Sequence, residues 1–191
     1  ITSYYDPEDG RNKKRTFIRT PVKFARISSR FSGKRYHPKL KKWRAHRGVD
    51  YAAPTGTPVK AAGNGKITFR GKKGGYGNVV IVQHGSKYTT LYAHLSKFAR
   101  ASKIGKSVSQ GQIIGYVGQT GLATGPHLHY EFRVNGVHRN PLTVKLPKAD
   151  PINKKYRKDF DQASSELLAS FNLFANGEQK LAQSEKPSND G

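Results

Sequence analysis

Residues 127–136 read HLHYEFRVNG, with polar and apolar side chains alternating from His127 to Phe132 and the run closing on Asn-Gly. A period of two belongs to a β-strand. It places His127, His129 and Glu131 on one face and Leu128, Tyr130 and Phe132 on the other, so the apolar set can enter a core while both imidazoles face a groove. Asn-Gly accepts the positive φ values of a type I′ turn, so the strand is expected to return as a hairpin. Similar runs fill the chain from ARISSRFSG to LTVKLP: TPVKAAGNGKITFRG, GGYGNVVIVQHG, SKYTTLYAHLS and KSVSQGQIIGYVGQTG are short, β-rich and punctuated by glycine. Strands at this spacing predict a mainly β fold built on antiparallel sheet, and 191 residues suffice for one domain with a real core.

Residues 26–147 are therefore expected to form the principal domain. Residues 1–25, turn-rich and basic, read as an N-terminal arm or the remnant of a preceding domain. Beyond Pro147, Tyr156, Phe160, Ala163, Leu167, Phe171 and Phe174 recur at helical spacing, which predicts an amphipathic helix within 148–176 that stops at Asn176-Gly177. Its outer face carries both signs of charge, unlike a membrane-surface helix, so packing on its own domain or an upstream one is expected. Residues 177–191 read as a flexible tail.

The chain has 35 Lys plus Arg against 12 Asp plus Glu, a formal charge of +23, which favours polyanionic surroundings such as nucleic acid, anionic lipid or an anionic wall polymer. No nucleic-acid motif accompanies that charge: in IGKSVSQG, Arg100 stands where a phosphate-cradling loop needs its first glycine, and no helix-turn-helix signature is present. No nucleic acid partner is expected. The absence of cysteine excludes a disulfide scaffold and a thiolate zinc finger, so a metal must be held by His, Asp or Glu. The sequence begins at Ile1 without a leader pattern and contains no apolar stretch long enough for a transmembrane segment, and is read as a processed or truncated piece of a longer chain.

Two imidazoles ~7 Å apart along one strand face can share a site. HRGVD adds His46 and Asp50, which would lie ~13 Å apart on a straight strand; the chain must bend to bring them together, and Gly48 permits that. His46, Asp50 and one of the two close histidines would give a three-ligand set that suits zinc, with a fourth position open for water. YTTLYAHLS supplies His94 on the expected face of Tyr88, Thr90 and Tyr92, a candidate acid, base or stabiliser of developing charge.

At RISSRFSGKRYHP, HRGVDYAAPTGTPV, GNVVIVQHG, TLYAHLS, GQIIGYVGQTGLATGPHLHYEF and NPL, in that order over residues 27 to 142, the chain resembles the lysostaphin-type, or LytM-domain, zinc metallopeptidases, and among them the envelope enzymes of Gram-negative bacteria. The resemblance implies an antiparallel β peptidase domain with one Zn2+ per site, held by His46, Asp50 and His129, with His94 and His127 as the catalytic pair. It implies His37, in RYHP, as a substrate-binding residue, and a structural role for His84 is at least as fitting as a functional one. Glu131, on the face of His127 and His129, is the candidate acceptor that orients a ligand histidine; His138 is expected in solvent. The implied activity is hydrolysis of peptidoglycan cross-linked peptides, at the D-Ala to meso-diaminopimelate bond, in the periplasm or cell envelope, by an enzyme whose upstream domains can cover the groove. The competing reading is a non-catalytic LytM-like module that binds wall or activates an amidase.

Overall fold

The computed structural model describes residues 5–10, 12, 16–23, 25–37, 41–147 and 151–184. Two compact units result: Thr16–Pro147, and Ile1–Arg15 together with Lys148–Gly191. The first begins ten residues earlier than the boundary read at residue 26, because Phe17 and Val22 are buried in its core and Lys60 N–H donates to Pro21 O, 2.9 Å away.

Strands β1 (Arg26–Ser29), β4 (Val49–Ala52), β6 (Gly65–Lys72), β7 (Asn78–His84), β8 (Tyr88–Ala93), β10 (Ser107–Val108) and β12 (His127–Val134) form one antiparallel sheet in the order β1-β4-β12-β8-β7-β6-β10, with β13 (Val137–Arg139) added to β12. A second sheet runs β5 (Pro58–Lys60), β11 (Ile113–Val117), β9 (Leu95–Phe98). A two-stranded ribbon joins β2 (Ser32–His37) to β3 (Lys42–His46).

The alternation in β12 is realised as expected: Leu128, Tyr130 and Phe132 are buried in the main core beside Tyr51, Tyr92 and Val82. Full burial of one such apolar side chain stabilises by roughly 1.5–3 kcal/mol, and a one-residue slip would turn all three outward. The register is pinned at the far end by the β12–β13 turn, where Asn135 (φ 50) and Gly136 (φ 78) take the positive φ values of a type I′ hairpin. His84 is structural: buried, it meets Asn64 O through Nδ1 (2.7 Å) and Thr90 Oγ1 through Nε2 (2.8 Å), and packs edge-on against Phe17.

In the other unit, α1 spans Arg157–Ser184 and so runs through Asn176-Gly177, the expected stop, and through residues 177–184 of the expected tail; residues 185–191 lie outside the described ones. Asn and Gly disfavour a helix interior by no more than about 1 kcal/mol each, too little to end it. Arg157 anchors the first turn, pairing with Asp161 at 2.9 Å and donating to Asp9 O at 2.8 Å. Within this unit Phe160, on the apolar stripe, is half-buried and meets the Tyr5 ring edge-on at 6.0 Å between centroids. Among the described residues no helix is long and apolar enough to cross a membrane.

Candidate metal centre

His46 ends β3, Asp50 lies in β4 and His129 in β12. The antiparallel register sets His129 directly opposite Asp50, and paired residues share a sheet face. His129 Nδ1 lies 2.8 Å and His46 Nε2 3.0 Å from Asp50 Oδ1, with 3.2 Å between the two nitrogens. All three residues are buried, and their ligand atoms fall within 4.8 Å of one another.

The bend anticipated between His46 and Asp50 is the step from β3 to β4. Gly48 serves it through lack of bulk, not through a left-handed φ: a Cβ there would stand 2.6 Å from both His129 Cε1 and Tyr130 O. Gly48→Ala is therefore expected to lose stability by ~1–3 kcal/mol, as overpacking does, and to bind less zinc. A denaturant midpoint and zinc content equal to the parent would refute this.

The donor set fits zinc in its second partners as well as its first. His46 Nδ1 sits 2.8 Å from Arg30 O and His129 Nε2 3.2 Å from Glu131 Oε1; each acceptor holds the proton on the far nitrogen and leaves the clustered nitrogen's lone pair for a metal. Two imidazoles and a carboxylate are three protein ligands, the number that leaves a zinc position open. In the metal-free protein, burial opposes charge on Asp50, yet hydrogen bonds from His129 and His46 hold its carboxyl far below the usual range. Burial likewise works against protonation of His129, but its bonds to Asp50 and Glu131 prevail and raise it to about 9. A cation is strongly favoured at this spot.

His94 reaches the site by a route the alternation does not predict. Leu91 and Ala93 pair with Glu131 and His129, so they share the metal face, whereas Tyr92 is in the core; strict alternation would send His94 into the core after Tyr88, Thr90 and Tyr92, the face read from the sequence. Its φ of 59 breaks the strand between β8 and β9 and turns the ring the other way, to 4.7 Å from the His127 ring and 5.9 Å from that of His129. His94 Nδ1 meets Thr120 O at 2.7 Å and His127 Nδ1 meets Gly125 O at 2.8 Å, which leaves both Nε2 atoms free of backbone partners. His127 Nε2 is 3.9 Å from Asp50 Oδ1. Burial pushes His94 down to about 4, so it is neutral at pH 7.

Glu131 is more than an acceptor for His129. Completely buried, it takes Tyr76 Oη at 2.7 Å on Oε1, and Arg133 Nε and His138 Nε2, each at 3.0 Å, on Oε2. His138 is thus held by Glu131, not solvent-exposed as expected. Tyr76 and Arg133 escaped the sequence reading, although a tyrosine within GGYGN has no strand face to serve and could have been suspected. Burial, followed by the bond to Glu131, lifts the Tyr76 phenol to about 12, so it remains a donor. His37 ends β2, paired with Lys42, and its side chain lies outside the described ones. His46, Asp50, His94, His127 and His129 converge, with Tyr76, on a groove of about 610 Å³, and Glu131 stands behind its lining.

Residues 44–141, about half of the chain, match the model of peptidase family M23. The chain is 48% identical over 158 residues to the peptidoglycan DD-endopeptidase ShyC of Vibrio cholerae serotype O1, covering 83% of this chain and 36% of that one. It is 54% identical over 142 residues to the DD-carboxypeptidase/endopeptidase Mpg of Neisseria meningitidis serogroup B, covering 73% and 32%. The crystal structure of a zinc-containing peptidase from Vibrio cholerae superposes with a TM-score of 0.65 at 38% identity, covering 76% of this chain and 47% of that one. The chain spans about a third of the length of the two curated relatives.

Proposed function

The chain belongs to peptidase family M23, and on that footing we propose that it is a zinc-dependent endopeptidase hydrolysing peptidoglycan cross-links, at the D-Ala to meso-diaminopimelate bond, in the periplasm or cell envelope. The observation that carries this reading is the convergence of His46, Asp50 and His129 within 4.8 Å beside a second histidine pair whose Nε2 atoms are free of backbone partners. A non-catalytic wall-binding or amidase-activating module would have little use for that second pair. The relatives' names, DD-endopeptidase and DD-carboxypeptidase/endopeptidase, agree in bond type. Residues 26–147 would carry the chemistry, and upstream domains of a longer chain would control access.

His46, Asp50 and His129 would hold the ion. Zinc bound there would polarise a peptide carbonyl and bring the pKa of a water towards about 7. His127, its Nδ1–H donated to Gly125 O, offers Nε2 as the base that takes the water's proton. His94, neutral and with Nδ1–H donated to Thr120 O, would first take up on Nε2 the proton that His127 removes from the water; burial then makes its protonated ring a ready acid, suited to pass that proton to the oxyanion or the departing amine. His37, next to the β2–β3 turn, would position substrate.

The test is muropeptide analysis of purified sacculi digested by the zinc-loaded protein beside a His127→Ala control. Conversion of cross-linked dimers to monomers by the parent alone is the expected result. No conversion, with zinc bound and the fold intact, would favour the activator reading.

A further inference from the structure

Two cations in the groove have no part in holding a metal. Arg44 and Arg47 both line it, both are exposed, and among the described residues neither guanidinium is engaged by a hydrogen bond or ion pair. Arg44 precedes the ligand His46 by two positions on β3, so it lies on the same strand face, ~7 Å away along the backbone. Its charge reaches Tyr76, where it lowers the phenol's pKa against the larger effect of burial; the Arg47 charge acts instead on His138. Among the described residues the only acidic one lining the groove is Asp50, already committed to the ligand cluster, and Glu131 behind it is filled by four donors. An unneutralised guanidinium beside a site for a divalent cation calls for an anion on the substrate.

We propose that Arg44 binds a carboxylate carried by the substrate next to the scissile amide and thereby selects the bonds this groove accepts. The inference rests on the wall-peptide reading and narrows it. In a D-Ala to meso-diaminopimelate cross-link the carbon bearing the scissile nitrogen also bears a free carboxylate, and the terminal residue of an acyl-D-Ala-D-Ala peptide has the same arrangement. One guanidinium can therefore serve both. An oligoglycine bridge has a peptide carbonyl at that position and offers no charge. The planar guanidinium can grip a carboxylate through two parallel N–H···O bonds, which a lysine cannot reproduce.

The experiment measures binding, so that it stands apart from turnover. The zinc-loaded full chain carrying His127→Ala, which leaves the peptide intact, is titrated calorimetrically with diacetyl-L-Lys-D-Ala-D-Ala and with its C-terminal amide. The acid is expected to bind roughly 10- to 100-fold tighter, the range of charge-assisted hydrogen bonds. Adding Arg44→Gln should erase that preference at unchanged zinc content, Arg44→Lys should keep part of it, and Lys103→Gln, an exposed charge outside the groove, should keep all of it. Equal binding of acid and amide, no binding of the acid at millimolar concentration, or a preference that survives Arg44→Gln overturns the assignment. A preference abolished by Arg44→Gln, where the zinc-loaded parent with His127 intact leaves sacculi uncleaved, would sink the endopeptidase reading and leave Arg44 as a carboxylate-binding residue.

Discussion

His129→Ala is expected to leave the protein unable to retain zinc through dialysis, whereas His127→Ala retains one ion per chain and loses activity by roughly 10²–10⁴-fold, the usual contribution of a positioned acid or base. The two residues stand two apart on one strand face, and sequence pattern alone cannot tell them apart. Geometry separates them. His129 points Nδ1 at Asp50 Oδ1, 2.8 Å away, and is backed by Glu131, so its removal would delete one of the three clustered donors and leave His46 as the one histidine against Asp50 Oδ1. His127 reaches the same oxygen only at 3.9 Å and is tied to the backbone at Gly125. Loss of a residue that merely orients a ligand typically weakens metal affinity 10- to 100-fold, and a ligand itself should cost more. Zinc content by atomic emission and activity on sacculi, measured on one preparation of each variant, decide the matter. Loss of zinc from both variants would make His127 a ligand and void the division of labour.

What the sequence makes legible is what local periodicity encodes. Alternation in HLHYEF gives the faces of β12 correctly, Asn135-Gly136 gives the hairpin, and the spacing of His46 and Asp50 requires the bend that the β3–β4 junction supplies. The approach of His94 is not legible this way, because it depends on one residue adopting φ 59, a conformation that non-glycine residues take only when surrounding contacts hold them there. His94 N–H donates to Tyr76 O and Nδ1 meets Thr120 O, both from distant loops. The partners of Glu131 are hidden only in part: Arg133, two positions further along β12, shares its face by the same period of two, whereas Tyr76 joins it from a distant loop, a convergence that no sequence spacing reports. At the far end of the chain the helix was readable but its length was not, since Asn176-Gly177 is a stop signal worth less than the helix around it.

Glu131→Gln is the substitution with the largest expected effect away from the ligands themselves. Oε1 serves His129 and Tyr76, while Oε2 serves Arg133 and His138. An amide retains one acceptor and puts an NH₂ in place of the other, so either orientation sets two donors against a donor in a completely buried position. Removing one partner from a buried charged network costs about 3–5 kcal/mol, and the loosened His129 should bind zinc 10- to 100-fold less tightly. The pH dependence carries a signature of the carboxylate. Burial alone would raise Glu131, but its hydrogen bonds from His129 and Tyr76 hold it at about 2, below its ordinary 4.5. A folded-state pKa below the unfolded one means that the stabilisation is complete above pH 4.5 and drains away as the pH falls towards 2. The metal-free parent should therefore lose stability over that window more steeply than Glu131→Gln, whose side chain does not titrate. Urea midpoints collected from pH 7 down to the acid transition test this: parallel curves for the two proteins would mean that Glu131 is not the charged keystone of the site, and that the hold on His129 comes from packing instead.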